Sequence, residues 1–190
     1  TRLARWLPNH VVPNVVGLNY DEAKAKLAEL KENHGETRAA RAAQRLESEL
    51  EVIGKSATAL SVEKWFQGEG EVTTLTDGKV TLLVFWEVWC PHCKREVPKL
   101  SETYTKYKGK GLQMVGLTKL SRNTTEEALT AFIGENSVAY PIAKEEGDSM
   151  SQLFGVRGIP AAAVVKDGTV VWRGHPARVT DAMLDDWLGT

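Results

Sequence analysis

The sequence predicts an α/β domain, a mixed sheet covered by helices, with a helical extension in front of it. Three observations predict this. From residue 62 onward, stretches rich in β-branched and aromatic residues alternate with helical patterns. Two of the last such stretches, 161–165 and 169–173, are joined by Asp167-Gly168, a hairpin signal that turns the end of the sheet antiparallel. The run Leu82-Leu83-Val84-Phe85-Trp86 is apolar without alternation, as in a central strand buried on both faces.

The totals bound the rest. A chain of 190 residues fits one domain with an extension, divided here as 1–55 and 56–190. A net charge of −1 leaves no nucleic-acid footprint. No apolar run approaches the length of a membrane span.

Residues 1–18 contain Pro8, Pro13 and Gly17 and no periodicity, and read as an extended lead-in. Asn19 and Glu22 approximate a capping box, after which Ala23, Leu27 and Leu30 form a helical stripe ending near Gly35. A second stripe, Ala39, Ala43, Leu46, Leu50 and Ile53, lies about opposite the first. A hairpin broken at Gly35 removes the conflict. Both stripes are narrow and Ala-rich, so the hairpin needs a partner, either the domain or another copy of itself in a homo-oligomer. Residues 54–61 read as a linker, and 62–68 and 72–75 as short strands. The central strand follows at 80–88 and a helix at 91–107, closed by Gly109 and Gly111. Then come a strand at 112–117, a helix opening near Thr124, a strand-like piece at 138–142 and a short helix at 148–154. The hairpin and a terminal helix at 179–188 complete the chain.

The chain's two cysteines stand together as Cys90-Pro91-His92-Cys93, between the central strand and a helix start. Pro91 suits the first helical position, where its missing N–H costs nothing. Cys90 then occupies the exposed N-terminal tip, where free backbone N–H groups and the helix dipole favour a thiolate. Cys93 falls one turn deeper, close enough to close a disulfide. A structural zinc site would need about four ligands, and His10, His34, His92 and His175 are scattered. Haem attachment requires a histidine directly after the second cysteine, where Lys94 stands. Redox chemistry remains, with Cys90 attacking and Cys93 resolving. The His92 ring either faces solvent or donates to the Cys90 thiolate. Glu96 either pairs with Lys99 or Arg95 or handles protons for the dithiol. Glu87, which interrupts the apolar run, is expected at a strand end near solvent.

Phe85-Trp86-x-x-Trp89-Cys90-x-x-Cys93-Lys94, with Pro98 five residues on and Gly158-Ile159-Pro160 far downstream, resembles the thioredoxin superfamily. Cys93-x-x-Glu96-x-Pro98 is similar to its bacterial extracytoplasmic TlpA/ResA-like branch of thiol-disulfide oxidoreductases. The resemblance covers residues 62–190. It implies a thioredoxin-like three-layer sandwich and disulfide exchange with protein substrates through Cys90 and Cys93, without metal or organic cofactor. It makes Ile159-Pro160 a cis-proline site opposite the cysteines, with Ile159, Pro160 and Trp89 contacting substrate. It assigns Glu96 to proton handling, since Val84 stands where cytoplasmic thioredoxins carry a buried aspartate. It implies a periplasmic or otherwise extracytoplasmic location, a membrane tether in a longer precursor, and a membrane-bound donor feeding a reductase. The Pro91-His92 dipeptide resembles that of the DsbA oxidants instead and implies a potential above thioredoxin's. A disulfide oxidase or isomerase is therefore the second reading, and a Cu(I)-binding thiol module the third.

Overall fold

The computed structural model describes residues 24, 25, 27–29, 32 and 46–190. The expected hairpin break at Gly35 and most of both helical stripes lie outside these residues. Six strands form one sheet: β1 (Val62–Gln67), β2 (Val80–Phe85), β3 (Leu112–Thr118), β4 (Ile142–Glu145), β5 (Ala161–Lys166) and β6 (Thr169–Gly174). Their spatial order is β1-β4-β3-β2-β5-β6. β2, β3 and β4 run parallel, while β1, β5 and β6 pair antiparallel with their neighbours. After Val62 the α-helices are α1 (Pro91–Tyr107), α2 (Glu126–Glu135), α3 (Ser149–Leu153) and α4 (Asp181–Leu188). None of the described helices is long and apolar enough to cross a membrane.

Successive strand residues face opposite sides, and β2 is buried on both. Leu82 and Val84 point into a core shared with Val97 and Leu100 of α1, Leu129 and Phe132 of α2, and Leu184 and Trp187 of α4. Leu83 and Phe85 point into a second core with Met150, Phe154, Leu75 and Val52. This is the mixed, two-sided sheet that the uninterrupted apolar run predicts. Thr125 and Thr180 start α2 and α4 by accepting hydrogen bonds from the N–H groups of Ala128 and Met183. Gly116 in β3 cannot be larger, because a Cβ there would stand 2.5 Å from Ile142 Cδ1 and 2.9 Å from Trp86 Nε1.

Three expectations need correction. Residues 72–75 form no strand: Val72 and Leu75 are buried, and Leu75 is held by single bonds to Thr58 and Gly168. The fourth strand starts at Ile142, because Pro141 has no N–H to give a ladder. Residues 54–57 are not a free linker. Gly54 N–H donates to Val170 O (2.8 Å), Val170 N–H to Lys55 O (3.0 Å) and Ala57 N–H to Gly168 O (2.7 Å). They satisfy the outer edge of β6, which would otherwise present open backbone groups.

Candidate active site

The carboxyl end of β2 and the start of α1 place the two cysteines. Cys90 caps α1 with extended dihedrals (φ −85°, ψ 112°), and Pro91 takes the first helical position. The Cys93 N–H donates to Cys90 Sγ at 3.4 Å, so one orphan amide of the helix start bonds the sulfur. Both cysteines are free thiols. The Cys90 S–H makes a long contact of 3.8 Å to Ile159 O. The Ile159–Pro160 peptide bond is cis, as the resemblance implies. The two cysteines and the Ile159 carbonyl are therefore brought together at one site.

Cys90 is less open than a helix tip suggests. It is 4% exposed, with Ile159 O against its sulfur, and Cys93 is 0% exposed. Cys90 is still the more exposed residue of the two. Burial pushes the Cys93 thiol well above its ordinary range, and its hydrogen bond with Cys90 and the charges of Cys90 and Glu87 push the same way; the Glu87 backbone N–H opposes them. Cys93 therefore stays protonated until something takes its proton.

His92 is exposed, and its Nδ1 lies 2.6 Å from Arg95 Nη2. Arginine only donates, so Nδ1 accepts and the ring hydrogen sits on Nε2. The ring's recorded partner is thus Arg95, not Cys90. Glu96 is half-buried and bonds Lys99 Nζ at 3.1 Å; together with Pro176 and Val179 it lines a separate groove. Trp89 is half-buried. Its indole N–H donates to Ser121 Oγ (3.0 Å), and the Arg122 guanidinium lies 3.8 Å above its ring.

Glu87 is the residue the sequence understated. It lies inside, 4% exposed, not near solvent. Its carboxylate accepts from Thr118 Oγ1 (3.1 Å), the Lys119 N–H (3.0 Å), and the Ser121 N–H (3.4 Å) and Oγ (3.3 Å). Four donors hold it, and through Ser121 it braces Trp89. The signal in the sequence was an acidic residue inside an apolar run. Its donors come from the last residue of β3 and the loop after it, which the sequence does not place beside it.

A sheet in this order, with a dithiol at the α1 tip facing a cis-proline, defines a thioredoxin-fold protein built for thiol-disulfide exchange. The chain belongs to the AhpC/TSA family, whose model matches residues 53–173. It is 33% identical over 139 residues to thiol-disulfide oxidoreductase ResA of Bacillus thuringiensis subsp. konkukian (strain 97-27), covering 72% of this chain and 76% of that relative. Among solved structures it resembles a thiol-disulfide isomerase from Corynebacterium glutamicum, at TM-score 0.56 and 26% identity over 68% of this chain and 91% of that one. StoA from Bacillus subtilis shares the fold at TM-score 0.57 and 23% identity, over 70% and 98% of the two chains. The chain is a thiol-disulfide oxidoreductase.

Proposed function

We propose that the chain reduces disulfides of protein substrates in an extracytoplasmic bacterial compartment, with Cys90 as nucleophile and Cys93 as resolving thiol. The unequal setting of the two sulfurs carries this assignment: Cys90 heads the helix and keeps a trace of exposure, while Cys93 has none. The Cys90 thiolate attacks one substrate sulfur, forms a mixed disulfide and releases the other as a thiolate. Cys93 then loses its proton and attacks Cys90 Sγ, closing the Cys90–Cys93 disulfide and releasing the second substrate thiolate. Two electrons pass to the substrate, and a membrane-bound donor restores the dithiol. No organic cofactor is needed. Ile159 offers its backbone to an extended substrate segment beside Pro160 and Trp89.

The test is trapping. Cys93→Ser should accumulate mixed disulfides with substrate proteins on non-reducing gels, and Cys90→Ser should accumulate none. The opposite pattern would reverse the roles. The likeness to an isomerase supports a second reading, and recovery of activity by a scrambled disulfide protein measures that function directly.

A further inference from the structure

A cleft of about 330 Å³ is lined by His92, from between the two cysteines, and by Ile159, whose carbonyl contacts Cys90. Ile159 and Pro160 form one wall and His92 the lip, so the cleft is continuous with the surface a substrate disulfide must approach. Its far walls are basic. Arg157 and Arg178 are exposed there, and Arg173 lines it at only 7% exposure. The chain as a whole has a net charge of −1, so this concentration of positive charge is local.

Arg173 is a built feature. Its Nε donates to Phe154 O at 2.9 Å, and its Nη1 donates to Ala162 O at 3.3 Å and Gly174 O at 3.1 Å. A guanidinium has five N–H groups. The two on Nη2 have no protein acceptor among the described residues, and the side chain borders the cleft. A buried charge is costly unless a partner meets it. Burial works against the Arg173 cation and the Glu49 carboxylate supports it. Glu49, from the helical turn before the domain, also lies 3.5 Å from Arg178 Nη1. The protein's own carboxylate thus already occupies part of the cleft. Among the described residues that line the cleft there are one carboxylate and three guanidiniums, which leaves room for more negative charge. Arg157 has no ion pair among the described residues. His175, at the back, accepts from the Ala177 N–H through Nδ1, so its Nε2 carries a hydrogen and adds a donor.

We propose that this cleft binds an acidic segment of the substrate protein, its carboxylates meeting Arg157, Arg173 and Arg178 while the neighbouring cysteine reaches Cys90. Guanidiniums match carboxylates in shape as well as charge. A substrate carboxylate would displace Glu49 from Arg178. The inference rests on the exchange function proposed above and adds the chemistry of its substrate.

The experiment compares two disulfide-bridged peptides of equal length, identical except that the residues flanking the cysteines are Asp and Glu in one and Lys in the other. Their reduction by the full chain is measured as kcat/KM, together with reduction of the uncharged 2-hydroxyethyl disulfide. The acidic peptide should react about tenfold faster than the basic one at low salt, with the ratio shrinking as ionic strength rises. Arg157→Glu or Arg178→Glu should collapse or invert that ratio; both sites are exposed, and a thermal melt checks that each variant is folded. Equal rates for the two peptides, or an unchanged ratio in both variants, overturns the proposal while the exchange function stands. Failure to reduce even the uncharged disulfide would overturn the exchange function and this proposal with it.

Discussion

Glu87 leaves β2 as an acidic residue among apolar ones, yet its carboxylate ends in a pocket of four donors supplied 31 to 34 residues later. The cysteines, Pro91 and Pro160 are legible in the sequence because their chemistry follows from local spacing. Glu87 is not, because its environment is assembled by the pairing of β2 with β3. Replacing it by Gln turns one acceptor oxygen into a donor group facing other donors. Glu87→Gln should therefore lose about 1–3 kcal/mol of stability, the range for a buried polar group left unsatisfied, and urea unfolding measures it. Tyr140 gives the reverse case. Its hydroxyl is buried without a partner, so Tyr140→Phe should raise the melting temperature, with a gain of about 1 kcal/mol. Cys93 sets a pH dependence. Its raised pKa means that the thiolate fraction still climbs across pH 6–9, so the resolving step should accelerate about tenfold per pH unit there without a plateau. Stopped-flow decay of a Cys90 mixed disulfide reads this rate, and a plateau below pH 8 would contradict the buried, protonated thiol.

Among the elements, those whose signal lies in their own residues are the ones the sequence shows. β2, α1, β3, the β5–β6 hairpin and α4 fall within a few residues of their predicted positions. The discrepancies arise where tertiary pairing decides. Residues 54–57 read as a linker because they lack periodicity, but the open edge of β6 recruits their backbone. Residues 72–75 read as a strand from composition, but Leu75 bonds the Thr58 carbonyl and the Gly168 N–H of the β5–β6 turn instead of joining a strand ladder. The stretch just before this edge also contributes core: Leu50 and Val52 are 3% and 4% exposed, and Ser48 O lies 3.1 Å from where a Cβ on Gly155 would stand. A cut between residues 55 and 56 would divide the Gly54–Val170 bond from the Ala57–Gly168 bond. A chain starting at residue 46 should therefore keep a cooperative unfolding transition. One starting at residue 58 should lose a further 3–6 kcal/mol or so, from burial of Leu50 and Val52 at about 1.5–3 kcal/mol each. Equal stability of the two truncations in urea would show that the segment adds nothing.

For the whole molecule, the direction of electron flow depends on how much the reduced form is stabilised over the disulfide. Strong oxidants of this fold owe their high potential to a stabilised reduced form, about −120 mV for DsbA against about −270 mV for thioredoxin. The Pro91-His92 dipeptide points toward the oxidant. The assembled site points the other way. Cys90 Sγ receives one N–H, from Cys93 at 3.4 Å, and the His92 ring, which could add a second donor, is held by Arg95 at 2.6 Å. Cys93 resists ionisation, so the dithiol holds at most one stabilised thiolate near neutral pH. The potential should therefore lie closer to thioredoxin's than to DsbA's. His92→Pro should move it by less than about 30 mV, a tenfold change in equilibrium constant. Arg95→Ala, which releases the ring to turn toward Cys90, should make the protein more oxidising. Equilibration of wild type and both variants with glutathione buffers measures all three values. A wild-type potential near DsbA's that falls steeply in His92→Pro would show that the ring reaches Cys90 in solution, and would make the protein an oxidase.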